Sequence, residues 1–361
     1  MSETPALPRR EYASEFLVRR LPNEEERKRN MKGMVIVPGE KGGTLEWRDV
    51  PDLEPGSEQL LMRVRAAGLN RADIFQLKGI YGKDRTSSGS LTIAGLEATG
   101  EVVGMGKDVS GFRMGDRIMG MCPGGYAEFA ALDHRLAMPV PAGLTWEEAA
   151  SIPIAYMAEY NALITNARLQ AGETVLINAA SSGVGVAAIQ IAKFFGATMV
   201  IGTAGTSTKL RILEALGMDL GVNYRAENFS DAVLNATNGT GADVIIDHVG
   251  GAWLKENLRC MALEGRLVSV GRLGHGTAEL DMELMAFKRL KLIGVTFRTR
   301  TIEERIAVAR DVVRDIIPAI ADGRFRPVID RVFPIGQALE AQAYMALNEH
   351  VGKIVLKVGD E

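Results

Sequence analysis

The chain has 361 residues, 47% of them apolar and 24% charged, with a formal net charge of −3. That length can hold two domains around a large core, and the near-balanced charge gives no global pull toward nucleic acid or an anionic membrane. Two distant cysteines, Cys122 and Cys260, exclude a disulfide framework and a paired-cysteine metal site, which fits a reducing cytoplasm.

Residues 1–30 are dense in Glu and Arg and carry Pro5, Pro8 and Pro22. They are expected to form a mobile or surface-lying extension; Tyr12, Phe16 and Leu17 could instead give a short helix one apolar face for a partner subunit. No signal peptide is expected at the start, and no apolar run approaches the roughly 18 residues that a membrane span requires. The globular pattern begins at Met31, with a first strand over 34–37. Between Trp47 and Pro141 the signals are those of a β-rich domain, with strands at 59–66, 99–103, 117–121 and 127–130 bounded by Gly, Pro or Asp.

From Ile154 the period changes. A helix over 155–166 leads into an alternation of strands (175–177, 198–203, 220–222, 244–247, 266–270, 291–295) and helices, among them 209–216 and 253–261. This predicts an α/β fold with a doubly wound parallel six-stranded sheet of the Rossmann type. A helix over 302–320 and a strand over 353–358 are expected to return to the first domain. The division is then 31–153 with 301–361 for the β-rich domain, and 154–300 for the nucleotide-binding domain.

The first strand–helix turn of that alternation is Ala179-Ala180-Ser181-Ser182-Gly183-Val184-Gly185. Gly183 allows close approach of a pyrophosphate to a helix N-terminus, and Gly185 lets helix and strand pack tightly. The next strand decides the nucleotide. An NAD site wants an acid about 20 residues on, but this strand ends in Thr203, Gly205, Thr206, Ser207, Thr208 and Lys209. Small hydroxyl residues and a lysine accept a 2′-phosphate that a carboxylate would repel, so the expected cofactor is NADPH.

Ordered motifs then carry a resemblance. They are Ala67-Gly68-Leu69-Asn70-Arg71-Ala72-Asp73 with Gly79-Ile80-Tyr81; Ala94-Gly95-Leu96-Glu97; Gly115-Asp116-Arg117; Gly124-Gly125-Tyr126-Ala127-Glu128; Ala149-Ala150-Ser151-Ile152-Pro153; Asp247-His248-Val249-Gly250-Gly251; and Gly352-Lys353-Ile354-Val355-Leu356. Over residues 31–358 the chain resembles zinc-free medium-chain dehydrogenase/reductases of the NADPH:quinone oxidoreductase, zeta-crystallin-like type. The resemblance implies a GroES-like substrate domain beside the Rossmann domain, an active site between them, and a homodimer joined through the Rossmann sheets. It places the 2′-phosphate at Gly205, Lys209 and Tyr224 and the pyrophosphate at Ser182, Gly183 and Val184. The nicotinamide end falls at the loops after Val249 and Gly271 and around Phe297, with Lys353 lining the cleft. Asn70 and Tyr81 match the family's cleft residues and are read as hydrogen-bond donors or orienters near the substrate carbonyl. Ala158 stands where the family usually has a threonine.

Zinc-bearing relatives hold their catalytic metal with two cysteines and a histidine. Here Asn70, Leu96 and about Ile154 occupy those positions, and two cysteines cannot build a four-cysteine site. The histidines His134, His248, His275 and His350 are scattered, and none is assigned to a metal. Without a Lewis acid the substrate must already be electrophilic, so the expected reaction is hydride transfer to a quinone or conjugated enone. A 2-enoyl-thioester reductase and a non-catalytic NADPH-binding protein are the alternatives.

Overall fold

The computed structural model describes residues 30–39, 42–79 and 91–359. Tyr81 lies outside the described residues, as do residues 1–29 with their candidate helix face.

Six parallel strands form one sheet in the order Leu220–Asn223, Met199–Ala204, Thr174–Ile177, Ala242–Asp247, Met261–Ser269, Lys291–Gly294. Chain order reverses between Thr174–Ile177 and Ala242–Asp247, and that switch opens a crevice at the carboxyl ends of the strands. Val175, Ile177, Val200, Val244, Ile246 and Val268 face a core shared with helices Pro153–Tyr160, Gly183–Phe194 and Ile302–Asp315. The alternate residues, Leu176, Ile201, Val222, Ile245 and Leu267, pack against the helices of the opposite face. Both faces are covered, which is why these strands read as unbroken apolar runs.

The second sheet is mainly antiparallel, in the order Ile329–Pro334, Lys353–Lys357, Gln59–Gly68, Glu97–Met105, Arg117–Met121, Met138–Pro139, with Phe129–Asp133 also paired to Gln59–Gly68. The C-terminal strand therefore enters the sheet of the N-terminal half. Just before that strand, Gly352 N–H donates to the Ser181 carbonyl at 2.9 Å, tying it to the middle of the glycine turn.

Two expected helices differ in detail. The 155–166 helix is α-helical only over Pro153–Tyr160; Asn161–Asn166 is a π-helical turn. Asn166 Nδ2 donates to the Asn161 carbonyl at 2.6 Å, and Ala167 N–H reaches back five residues to Ala162. The 302–320 helix ends at Asp315 and resumes as Ile317–Ala321, because Pro318 has no N–H to continue the ladder.

Candidate active site

The glycine turn is held from within. Ala179 has φ 54°, a left-handed conformation unfavourable for a residue with a Cβ. Its N–H donates to Thr203 Oγ1 at 3.1 Å, and Thr203 is fully buried. Thr203 thus supports the turn, its buried hydroxyl accepting from the Ala179 backbone. Ser182 caps helix Gly183–Phe194, accepting from Gly185 N–H at 3.1 Å and donating to the Ala179 carbonyl at 2.9 Å. A Cβ at position 185 would lie 2.4 Å from the Ala180 carbonyl oxygen, so only glycine lets the helix start there. Gly183 and Val184 open that helix, whose N–H groups and positive end suit a phosphate.

A cationic pocket lies beyond the ends of Met199–Ala204 and Leu220–Asn223. Adjacent parallel strands bring Gly205 beside Tyr224 and Arg225: a Cβ on Gly205 would sit 3.0 Å from Tyr224 Oη and 3.2 Å from Arg225 Nε. Thr206 caps helix Ser207–Glu214, which presents Lys209. Lys209 Nζ donates to the Asn348 carbonyl at 2.6 Å, and Arg71 Nη2 donates to Asn348 Oδ1 at 2.6 Å. Among the described residues, none of Lys209, Arg225 and Arg71 forms a salt bridge with a carboxylate. Burial lowers the Lys209 ammonium, with Arg225 adding to the effect. Asp330 and Glu349 act on Lys209 in the opposite sense without forming an ion pair with it, and three cations free of ion pairs among the described residues are a donor set fitted to a phosphate.

A second cluster sits where Gln59–Gly68 ends. Lys353 Nζ donates to the Leu69 carbonyl at 2.6 Å, to Asn70 Oδ1 at 3.0 Å and to Glu97 Oε1 at 2.6 Å. An ammonium can only donate, so it orients the Asn70 amide with Oδ1 toward itself. Asn70 Nδ2 then donates one hydrogen to Glu97 Oε1 at 2.8 Å. Its other hydrogen has only the Gly68 carbonyl at 3.5 Å, a distance that leaves it free for a ligand. Glu97 Oε2 accepts from Ile154 N–H at 2.7 Å, at the start of helix Pro153–Tyr160. Beneath Asn70, Asp73 Oδ2 accepts from Asn70 N–H at 2.7 Å and from Tyr126 Oη at 2.9 Å. Burial pushes the Asp73 carboxyl up to about 7.

The loops expected at the nicotinamide end are tied to this helix. Asp247 Oδ1 accepts from Val249 N–H at 2.9 Å and from Gly250 N–H at 3.0 Å, while Gly271 N–H donates to the Asp247 carbonyl at 3.1 Å. Phe297 packs against the main core with the Arg300 guanidinium 5.5 Å from its ring, and Arg300 Nη2 also donates to Asn161 Oδ1 at 2.8 Å. His248 is buried between Asn178 and Glu159. Its Nδ1 lies 2.7 Å from the Asn178 carbonyl and must carry a hydrogen, while Nε2 lies 2.9 Å from Glu159 Oε1. Burial opposes charge on this imidazole, but Glu159 beside it raises it above the ordinary histidine value.

Asn70 and Lys353 are thus in direct contact, as are Gly205 and Tyr224, while the crevice loops carry Val249, Gly271 and Phe297. Sequence reasoning missed Glu97, Arg71, Arg225 and the Glu159–His248 pair. Arg225 had a usable signal, since it follows Tyr224 in the turn after strand Leu220–Asn223, which neighbours Met199–Ala204. The others depend on contacts between distant segments. Among the described residues no three of His, Cys, Asp and Glu are grouped so as to hold a metal ion, and no helix is long and apolar enough to cross a membrane.

Two family models match this chain: the alcohol dehydrogenase GroES-like domain over residues 56–142, and the zinc-binding dehydrogenase domain over 183–312. With the two-sheet fold, they place the chain in the medium-chain dehydrogenase/reductase superfamily. Within it the chain belongs with the quinone oxidoreductase-like members. It is 30% identical to quinone oxidoreductase-like protein 2 homolog of Nematostella vectensis, over 83% of this chain and 82% of that protein. It is also 31% identical, over 91% of its own length, to a mycocerosic acid synthase-like polyketide synthase of Mycobacterium tuberculosis, but spans only 15% of that protein. Among solved structures, the CurK enoyl reductase superposes with a TM-score of 0.79 at 26% identity, covering 90% of this chain and 99% of that one. A mycobacterial protein solved with NADPH superposes with a TM-score of 0.79 at 27% identity, covering 91% and 99%.

Proposed function

We propose that the protein is an NADPH-dependent, zinc-independent reductase that delivers hydride to a quinone or conjugated enone. The observation that carries the cofactor choice is Arg225 beside Gly205 and Tyr224, with Lys209 and Arg71 meeting at Asn348, none of them ion-paired among the described residues, and no acid at the end of Met199–Ala204. The pyrophosphate is assigned to Ser182, Gly183 and Val184, and the nicotinamide end to Val249, Gly271 and Phe297. Thr206 and Thr203 shape the pocket, the first by capping the Lys209 helix and the second by holding the turn.

When bound, the cofactor supplies the hydride. The chain's own residues then position the acceptor, keep water out and meet the charge that develops on its oxygen. Asn70 offers its remaining Nδ2 hydrogen to that oxygen, with its amide held by Lys353 and Glu97. Tyr81 is assigned to the same task. A proton from bulk solvent completes the reduction. The likeness to an enoyl reductase supports a second acceptor of the same electronic kind, a 2-enoyl thioester, whose conjugated carbonyl would use the same Asn70 hydrogen.

The outer strand Lys291–Gly294 has a neighbour on one side only, and Leu292 on it is exposed, with Phe287 and Met282 exposed on the preceding helix. An open strand edge flanked by apolar side chains supports a homodimer through this sheet.

The test is NADPH consumption followed spectrophotometrically over quinones, enones and enoyl thioesters, with and without a zinc chelator. Turnover on a conjugated carbonyl, unchanged by the chelator, is expected. No turnover on any of them would sink the proposal.

A further inference from the structure

His350 lies between helix Ala338–Ala346 and strand Lys353–Lys357 and is only 7% exposed. Its Nδ1 is buried with no hydrogen-bond partner among the described residues. A buried polar atom without a partner is rare enough in a folded protein to need an explanation.

The charged groups facing this ring come from four elements: Arg71 from helix Arg71–Leu77, Lys209 from helix Ser207–Glu214, Asp330 from strand Ile329–Pro334, and Lys353 from strand Lys353–Lys357. Two of them are already engaged. Asp330 accepts from Val351 N–H at 2.9 Å and from Tyr344 Oη at 2.8 Å, and Lys353 is paired with Glu97. Among the described residues Arg71 and Lys209 are not ion-paired; both converge on Asn348, two residues before His350. The imidazole therefore lies within electrostatic reach of the same cations, two residues along the chain from the Asn348 on which they converge.

We propose that His350 is a specificity residue of the cofactor site, neutral in the free protein and taking up one proton from solvent when the 2′-phosphate of NADPH joins Arg71, Lys209 and Arg225. The idea rests on the NADPH reading above and adds to it a titrating fourth cation. Burial first, and the Arg71 and Lys209 charges next, hold this imidazole down at about 4. A dianion beside those cations cancels their repulsion and favours the protonated imidazole, raising its pKa toward the neutral range. The sign of the linkage follows. Between the free and bound values the complex holds one more proton than its separated parts, so NADPH affinity rises as pH falls through that window. NADH lacks the 2′-phosphate and provides the reference.

The experiment is isothermal titration calorimetry of NADPH and NADH into the full chain, at pH 6.5–8, in buffers of different ionisation enthalpy. This range stays above the phosphate's own second pKa of about 6. Uptake approaching about one proton at the low end is expected for NADPH, with NADPH affinity rising by up to about tenfold per pH unit as the pH falls. Near-zero uptake is expected for NADH, and for NADPH with His350→Gln or His350→Asn. With four histidines in the chain, the imidazole proton resonances give an independent readout: His350 stays neutral down to pH 5 in the free protein and titrates higher with NADPH. Tight NADPH binding without proton uptake, or with equal uptake in wild type and both variants, would overturn this inference alone. NADPH binding no tighter than NADH would overturn the cofactor reading and this inference with it.

Discussion

The Asn70–Glu97–Lys353 cluster and the Lys209–Arg225–Arg71 pocket both lie where the two halves of the chain meet, and both are rich in charge. In the first, one carboxylate meets one ammonium, and Lys353 has a partner for each of its three donated hydrogens. In the second, Lys209 donates to the Asn348 carbonyl and Arg71 to the Asn348 side chain, Arg225 lies beside Gly205 and Tyr224, and among the described residues none of the three is ion-paired. The difference separates geometry from binding. A balanced buried pair fixes atoms in place, and removing one member leaves the other uncompensated. An unbalanced set is held against its own repulsion and gains only when a ligand arrives.

The largest expected effect falls on the first region. Lys353→Met leaves Glu97 buried without its counter-charge, and should lower unfolding stability by about 3–5 kcal/mol in chemical denaturation. Adding Glu97→Gln removes the orphaned charge and should restore at least about half of that loss. If Lys353→Met alone costs under about 1 kcal/mol, the cluster is not the rigid frame described here.

The second region should respond in the opposite way. Lys209→Ala with Arg225→Ala should weaken NADPH binding by about a hundredfold, since each lost charge-assisted hydrogen bond is worth about 1.5–3 kcal/mol and the two overlap. NADH binding should stay within about twofold, and the melting temperature should hold or rise as like charges are removed. Equal losses for both nucleotides would show that these cations do not read the 2′-phosphate.

Asn70→Ala probes the boundary between the regions, because Asn70 belongs to the rigid cluster yet keeps one free hydrogen. It should lower kcat by about tenfold to thirtyfold, less than removal of a donor from a full oxyanion hole, because the acceptor spreads its own charge. KM for NADPH should be unchanged. A change in KM alone, with kcat intact, would remove Asn70 from the chemistry.

The same contrast explains what could be read from the sequence. The six-stranded sheet was legible because its strands, covered on both faces, read as apolar runs between helical periods. The glycine turn was legible because a helix N-terminus over a phosphate demands small residues at fixed places. The pocket's sign was legible from an absence, the missing acid after Thr203. The partners of the balanced cluster were not: Lys353 and Glu97 are 256 positions apart, and they meet only because the last strand pairs beside Gln59–Gly68. His350 is hidden for the same reason, since nothing local marks a ring whose neighbours come from four separate elements. Glu159 and His248, 89 positions apart, each read as an ordinary polar residue until the fold buries them together.

Thr203 gives the smallest and most discriminating effect. The sequence groups it with the cofactor residues because it ends the strand that selects the nucleotide. Its hydroxyl instead accepts from Ala179 N–H and holds a left-handed turn. Thr203→Val keeps the shape and removes the acceptor, so the Ala179 N–H loses its partner, at a cost of about 1–2 kcal/mol in unfolding stability. Thr203→Ser should recover most of it. Because the pocket cations are untouched, the ratio of NADPH to NADH affinity should be the same in all three proteins, although both affinities fall slightly as the turn loosens. A selective loss for NADPH would return Thr203 to the phosphate pocket and shift the line between the supporting and binding residues.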